Sequence, residues 1–391
     1  MSTNEYVREK KETQPIIAIC YDFDKTLSPT DMQAQGYIQS IGYDVGDFWY
    51  KSNSLASKNE MDQNLSYMYV MKQEAEGKVL FTKDKLMEYG AKVKLFSGVE
   101  SWFERICKYG EQKGVIVEHY IISSGLKEMI EGTSVAKNGV FKKIYASSFF
   151  YNERGVAMWP AQVVNYTNKT QFLFRIKKGV LDINDPAIND YFSIEEERIP
   201  FQNMIYIGDS DTDIPCMKLV NSYGGYSIGV YDAKTNDKTK VYKMMRDKRI
   251  KYFVPADYSE NTEMDMLIKR IIDRTVANEI LEDTYYKYKN ECIKQDEEND
   301  DMQHEKINLL IALENSRNFI NTHTVMKKLS EIKGWSDSEK DELFRIGVTN
   351  YQVKYILKDA DISNFYMGLL NETKTYNENA KKIEQIINEE E

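Results

Sequence analysis

The chain has 391 residues, 42% of them hydrophobic, with 62 acidic against 52 basic side chains and a net charge of −10. That length supports two domains, or one large domain with additions. No run approaches the roughly 18 consecutive apolar residues of a transmembrane helix, and the polar start Met1-Ser2-Thr3-Asn4-Glu5-Tyr6 lacks an apolar signal core, so a cytoplasmic protein without a membrane partner is expected.

The first strong element is Ile16-Ile17-Ala18-Ile19-Cys20-Tyr21-Asp22-Phe23-Asp24-Lys25-Thr26-Leu27-Ser28, where an apolar run ends on two carboxylates one residue apart. It reads as a buried strand whose C-terminal end carries chemistry, because ligands of open parallel α/β sheets sit outside the carboxyl ends of the strands. Residues 31–95 follow, with helical patterns around Met32–Ile41 and Asn64–Met71 and the aromatics Tyr37, Phe48, Trp49, Tyr50, Tyr67 and Tyr69, expected mainly to pack a small helical unit. Tyr120-Ile121-Ile122-Ser123-Ser124-Gly125 is a second strand, ending in hydroxyls and a glycine. The stretch Val140–Val164 alternates and suggests a β-excursion. Lys169 then opens a periodic helical stretch, and the acidic segment from Asp182 to Glu197 reads as a surface helix-loop unit. Met204-Ile205-Tyr206-Ile207-Gly208-Asp209-Ser210-Asp211-Thr212-Asp213 repeats the first design, a strand running into carboxylates.

Two aspartates, a hydroxyl, an ammonium and a further carboxylate pair, in that order, resemble the four motifs of the haloacid dehalogenase (HAD) superfamily, and within it the phosphatases akin to phosphoserine phosphatase. The DxDx[TV] motif is met by Asp22 to Thr26, the hydroxyl motif by Ser123, the lysine motif by Lys169 and the GDxxxD motif by Gly208 to Asp213, over residues from about 15 to about 260. The resemblance implies an α/β fold: a Rossmann-like core with a parallel sheet (15–30 and 96–260), a helical cap inserted after the first strand (31–95) and, outside the family pattern, a C-terminal all-helical extension (261–391). It further implies Mg²⁺ held by Asp22, Asp209, the backbone carbonyl of Asp24 and, through a water, Asp213. Asp22 becomes the nucleophile that forms an aspartyl-phosphate, and Asp24 the general acid and base. Ser123, Ser124, Gly125 and Lys169 become the phosphate-binding groups of a small phosphorylated substrate.

Ser124 competes with Ser123 for the hydroxyl role; Ser123 is favoured because it directly follows the apolar run, leaving Ser124-Gly125 to open the next helix. Asp24 argues for phosphoryl chemistry, since a halide leaving group needs no proton. Asp211 reads as an exposed turn residue, Lys25 as a solvated one and Thr26 as a buried hydroxyl orienting the loop. A phosphotransferase using the same intermediate, or a partner-binding protein with a vestigial core, are the alternatives. His119, His304 and His323 fall in no motif, and Cys20, Cys107, Cys216 and Cys292 are far apart, so neither a zinc site nor a disulfide framework is expected.

Beyond the core, Met264, Leu267, Ile268, Ile271, Ile272, Val276 and Ile280 recur at helical spacing, and Asp296–Asp301 reads as an acidic joint. Residues 275–391 hold −9 of the net charge, which argues against nucleic acid. Ile307–Leu313 and Tyr351–Leu357 are too apolar for a disordered tail, so packed helices are expected, serving stability, a homo-oligomer or a protein partner.

Overall fold

A computed structural model describes residues 6–193, 196–296, 301–373 and 376–388, with the side chains of 290–302 outside that description. Two compact units follow each other along the chain, dividing after Ile280. Among the described residues no helix is long and apolar enough to cross a membrane.

In the first unit β1 (Ile16–Tyr21), β2 (Ile116–Leu126), β3 (Phe141–Tyr151), β4 (Ala157–Gln162), β5 (Met204–Gly208), β6 (Tyr226–Tyr231) and β7 (Tyr252–Pro255) form one sheet in the order β4-β3-β2-β1-β5-β6-β7. All neighbours are parallel except β3 and β4, the hairpin made by the alternating Val140–Val164 stretch. Both faces are covered, which is why β1 and β5 at its centre are apolar without interruption. Along β1 the side chains alternate between two cores: Ile17, Ile19 and Tyr21 enter one, and Ile16, Ala18 and Cys20 the other. β5 does the same with Ile205 and Ile207 against Met204 and Tyr206.

Between β1 and β2 lie α1 (Tyr37–Ser40), α2 (Val45–Lys58), α3 (Gln63–Glu74), α4 (Lys83–Gly90) and α5 (Val99–Gln112). The side chains of Asp44, Asp62 and Thr82 accept backbone N–H groups at the starts of α2, α3 and α4, satisfying donors a helix cannot satisfy itself. On α2 the buried set is Phe48, Ser52 and Ala56, a single face at four-residue spacing. Tyr37, Phe48 and Tyr67 are buried as their aromatic character suggests, whereas Tyr50 and Tyr69 are more than half exposed, because they fall on the opposite faces of their helices.

These helices are joined to the sheet by direct bonds. The Ala157 and Lys83 N–H groups donate to the carbonyls of Phe81 and Gly155, each at 3.0 Å, tying the entry to α4 to the β3–β4 hairpin. The end of α4 meets α6 (Lys127–Gly132) so closely that a Cβ on Gly90 would stand 2.0 Å from the Met129 carbonyl oxygen. The chain continues through α7 (Ser134–Lys137), α8 (Lys169–Lys178), α9 (Ile214–Ser222), α10 (Thr239–Arg246) and α11 (Glu263–Asp296). Asp182–Glu197 holds a 3-10 turn over Pro186–Asn189, opened by the Asp185 carboxylate accepting from Ala187 N–H. Met264, Ile268, Ile271 and Ile272 of α11 are buried in the same core as β1, so the first unit takes in the opening turns of that helix.

The second unit is all helical: α12 (Asp301–Glu314), α13 (Phe319–Glu331), α14 (Asp337–Thr349), α15 (Tyr351–Ile356), α16 (Ala360–Glu372) and α17 (Glu378–Asn388). Leu313, Leu329, Leu343, Phe344, Tyr366 and Ile383 centre its own core. Ser336 and Glu339 form a reciprocal cap at the start of α14. Residues 297–300 of the acidic joint lie outside the described residues.

Candidate active site

The sheet order places the site. Crossovers leave β1 toward β2 on one side while β5 lies on the other, so the crevice at the carboxyl ends of these three strands is the topological switch point. Each strand delivers a candidate residue there: Asp22 just after β1, Ser123 near the end of β2 and Asp209 just after β5.

Asp22 keeps the sheet pairing one residue beyond β1, its N–H donating to the Ile207 carbonyl at 2.9 Å. The chain then turns tightly: the N–H groups of Thr26, Leu27 and Ser28 all donate to the Phe23 carbonyl, with Lys25 in the left-handed region at φ 58°. This turn brings Asp24 back over the site, where its Oδ1 accepts the Met32 N–H at 2.8 Å. Thr26 is fully buried, with no partner for its hydroxyl among the described residues, and the carbonyl of Thr26 accepts from Tyr258.

Lys169 is the first residue of α8, a position where the helix dipole disfavours a cation. It is completely buried, and its Nζ lies 2.7 Å from Asp213 Oδ1 and 3.2 Å from Asp22 Oδ1. Those two carboxylates offset the cost; burial pulls the Lys169 pKa down, but Asp213 and Asp22 together hold it above its ordinary value, so it stays charged. Asp213 has further partners: Oδ1 also accepts from the Tyr206 hydroxyl at 2.9 Å, and Oδ2 from the Ser210 N–H and hydroxyl at 3.1 and 3.0 Å. Gly208 makes this possible, since a Cβ there would stand 2.5 Å from Asp213 Oδ2.

Carboxylate oxygens of Asp22, Asp209 and Asp213 lie within 4.8 Å of one another. Burial and the Asp213 charge raise the Asp22 pKa, opposed by Lys169. Burial raises Asp209 to about 6, opposed by Lys240. Asp24 is pushed well above the carboxylate range by burial, then by Asp31 and Asp22. Three crowded, desolvated carboxylates are hard oxygen donors suited to a divalent cation such as Mg²⁺.

The hydroxyl motif differs in detail from the sequence expectation. β2 runs through Leu126 and the helix begins only at Lys127, so Ser124 and Gly125 belong to the strand end rather than to a helix start. Ser123 Oγ accepts the Gly125 N–H at 3.1 Å. The Ser124 hydroxyl is buried and without a partner among the described residues, while its carbonyl accepts from Tyr67 and Ser147. Asp22, Asp24, Ser123, Ser124, Gly125 and Asp209 line one cavity of about 590 Å³, with Asp213 and Lys169 packed behind it.

Sequence reasoning missed several groups here. Lys240 of α10 reaches Asp209 Oδ2 at 3.3 Å, and Lys25 also lines the cavity, paired with Asp31 at 2.8 Å. Nothing in the amphipathic stretch around Lys240 distinguishes it from a solvated lysine. Asp211 is exposed, as a turn residue should be, and Cys20, Cys107 and Cys216 are free thiols.

The haloacid dehalogenase-like hydrolase family is matched over residues 19–218, about half of the chain and all four motifs up to Asp213. The chain belongs to this family. It is also 29% identical over 283 residues to an uncharacterized protein of Borreliella burgdorferi, covering 65% of this chain and 95% of that one. Among solved structures, a HAD family hydrolase of Salmonella enterica covers 67% of this chain and 73% of its own length at 17% identity and a TM-score of 0.44. A phosphoserine phosphohydrolase-like protein of Francisella tularensis covers 61% and 94% at 18% identity and a TM-score of 0.37. This chain is therefore a HAD-family hydrolase by its sequence, with the acidic residues of the motifs close together in one buried site.

Proposed function

We propose that this HAD-family chain is a Mg²⁺-dependent phosphatase that hydrolyses a phosphate monoester through an aspartyl-phosphate on Asp22. The observation that carries the reading is the Asp22–Lys169–Asp213 cluster: one buried ammonium within 3.2 Å of the nucleophile candidate and 2.7 Å of a second carboxylate. A phosphate monoester is a dianion, and an anionic nucleophile reaches its phosphorus only where positive charge is pre-arranged. Lys169 provides part of that charge. Asp22 and Asp209 would hold Mg²⁺ through their carboxylates, with Asp24 through its backbone carbonyl and Asp213 through a water. Bound there, the ion supplies the remaining charge between nucleophile and substrate.

In the first step an Asp22 Oδ bonds to phosphorus, the ester P–O bond breaks, and Asp24 gives its proton to the leaving oxygen. Burial, then Asp31 and Asp22, pull the Asp24 pKa upward, which favours the protonated form that can donate. In the second step the Asp24 carboxylate takes a proton from water, whose oxygen bonds to phosphorus as the Asp22–phosphorus bond breaks. Ser123 accepts the Gly125 N–H, which leaves its own proton free for a phosphoryl oxygen. Asp213 orients Lys169 rather than reacting.

The test is hydrolysis of an aryl phosphate by the full chain, with Mg²⁺ and with chelator, alongside Asp22→Asn. Metal-dependent release of inorganic phosphate in step with the alcohol, abolished in the variant, supports hydrolysis over transfer to a second alcohol. Turnover that survives Asp22→Asn refutes the mechanism.

A further inference from the structure

Lys169 and Lys240 flank the carboxylates of the site, and they differ in freedom. Lys169 is wholly buried and holds Asp22 and Asp213. Lys240 reaches Asp209 from α10, its Nζ 3.3 Å from Oδ2, with 46% of its side chain exposed against 13% for Asp209. A half-exposed lysine on a long flexible stem leaves its partner without opening a core. Asp209 has no such freedom, because it follows directly on β5, whose residues are all buried.

The position of Lys240 is unfavourable unless an anion stands opposite. Asp237 accepts the Thr239 N–H at 2.9 Å at the start of α10, which puts Lys240 second in the helix, at the end where the backbone dipole opposes a positive charge. Asp209 offsets that. Lys25, which also lines the cavity, instead has Asp31 at 2.8 Å. Seen from the other side, Asp209 is a largely desolvated carboxylate with oxygens of Asp22 and Asp213 within 4.8 Å, so it is stabilised by a positive charge beside it. With all three carboxylates ionised, Lys169 and Lys240 leave one negative charge uncovered, whereas Lys169 and a divalent cation leave none. An ammonium this close to Asp209 repels any cation that shares the carboxylate, so the two bind it at each other's expense.

We propose that Lys240 is a displaceable counter-ion of Asp209, which competes with Mg²⁺ for its carboxylate and so sets the affinity of the site below what the three aspartates alone would give. The inference rests on the Mg²⁺-dependent reading above and concerns how the ion is admitted, not the chemistry that follows. Because Mg²⁺ binding breaks the Lys240–Asp209 pair, the stability of that pair is felt twice: it supports the fold in chelator and it opposes the metal. A lysine that merely orients Asp209 as a ligand has the opposite effect on the metal, since removing an outer-shell support weakens binding.

The experiment titrates MgCl₂ into the full chain by isothermal calorimetry, with no phosphate ester present, for the parent, Lys240→Met, Lys240→Arg and Lys243→Met, and follows melting of each in EDTA and in saturating Mg²⁺. Lys240→Met should bind Mg²⁺ about three- to tenfold more tightly than the parent. It should melt about 1–3 °C lower in EDTA and level with the parent in Mg²⁺. Lys240→Arg keeps the charge and should bind Mg²⁺ as the parent does. Lys243→Met removes an exposed charge from the same helix, away from the cavity, and should also match the parent. Unchanged or weaker Mg²⁺ binding in Lys240→Met overturns the inference, as does an equal tightening in Lys243→Met, which would make the effect one of net charge. If the parent binds Mg²⁺ and Lys240→Met does not bind it more tightly, this inference alone falls and the catalytic reading stands. If neither binds Mg²⁺, the inference and the metal dependence fall together.

Discussion

Replacing Lys169 by methionine removes the buried cation that touches Asp22 and Asp213 while keeping a side chain of similar length. Taking away one partner of a buried ion pair costs about 3–5 kcal/mol, because the other charge stays desolvated. For a unit of this size each kcal/mol moves the midpoint by about 2–4 °C, so the first unit should melt on the order of 10 °C lower in chelator. The pH dependence has a definite sign. Lys169 opposes the burial that raises the Asp22 pKa, so without it that pKa climbs further above the unfolded value. A carboxyl whose folded pKa is raised favours the folded state when protonated and penalises it when ionised. The midpoint gap between parent and Lys169→Met should therefore be widest at alkaline pH and narrow as the pH falls through the raised carboxyl range. Differential scanning calorimetry with EDTA across that range reads the gap directly, and turnover in Mg²⁺ should fall by about 10²–10³-fold. A variant that melts within about 1 °C of the parent, or a gap that does not change with pH, would refute the electrostatic account of the cluster.

His119 should limit acid stability. Burial lowers its pKa from 6.5 to about 4, with its Nδ1 bonded to the Tyr21 hydroxyl at 3.0 Å. A base with a lowered folded pKa contributes full stability above the unfolded pKa and loses it as pH falls, here by roughly 3 kcal/mol between pH 6.5 and 4; urea denaturation of His119→Gln should show a shallower acid-side decline. Gly90→Ala would set a Cβ 2.0 Å from the Met129 backbone oxygen, where only a shift of α4 against α6 makes room. Such overpacking should cost about 1–3 kcal/mol in the denaturation midpoint, and an unchanged midpoint would mean the helices have slack at this crossing.

The core was legible in the sequence because its signals are local and redundant. Ile16–Tyr21 and Met204–Gly208 are apolar on every position, which only a strand covered on both faces requires, and each runs into carboxylates at the end where ligands bind. Lys169 was legible through its order relative to the other motifs. What escaped depends on tertiary contact. Tyr206 reads as packing within an apolar run, yet its hydroxyl fixes Asp213. Lys240 looks like any lysine of an amphipathic helix until the fold brings it to Asp209. The extent of β2 was hidden because Ser-Ser-Gly is a common way to leave a strand, whereas pairing with β3 extends it to Leu126. Tyr50 and Tyr69 show the limit of composition: aromatic content marks a packing unit, but which face meets the core is set by helical phase.

The most direct test of the central claim is to catch the covalent state. The full chain turning over an aryl phosphate with Mg²⁺ is quenched in acid, digested, and its peptides searched for a phosphoryl group by mass spectrometry. Phosphorylation on the peptide that carries Asp22, absent from the Asp22→Asn protein, is the expected result. Undiminished turnover with the phosphoryl group elsewhere, or on no residue at all, would contradict the assignment of Asp22 as nucleophile.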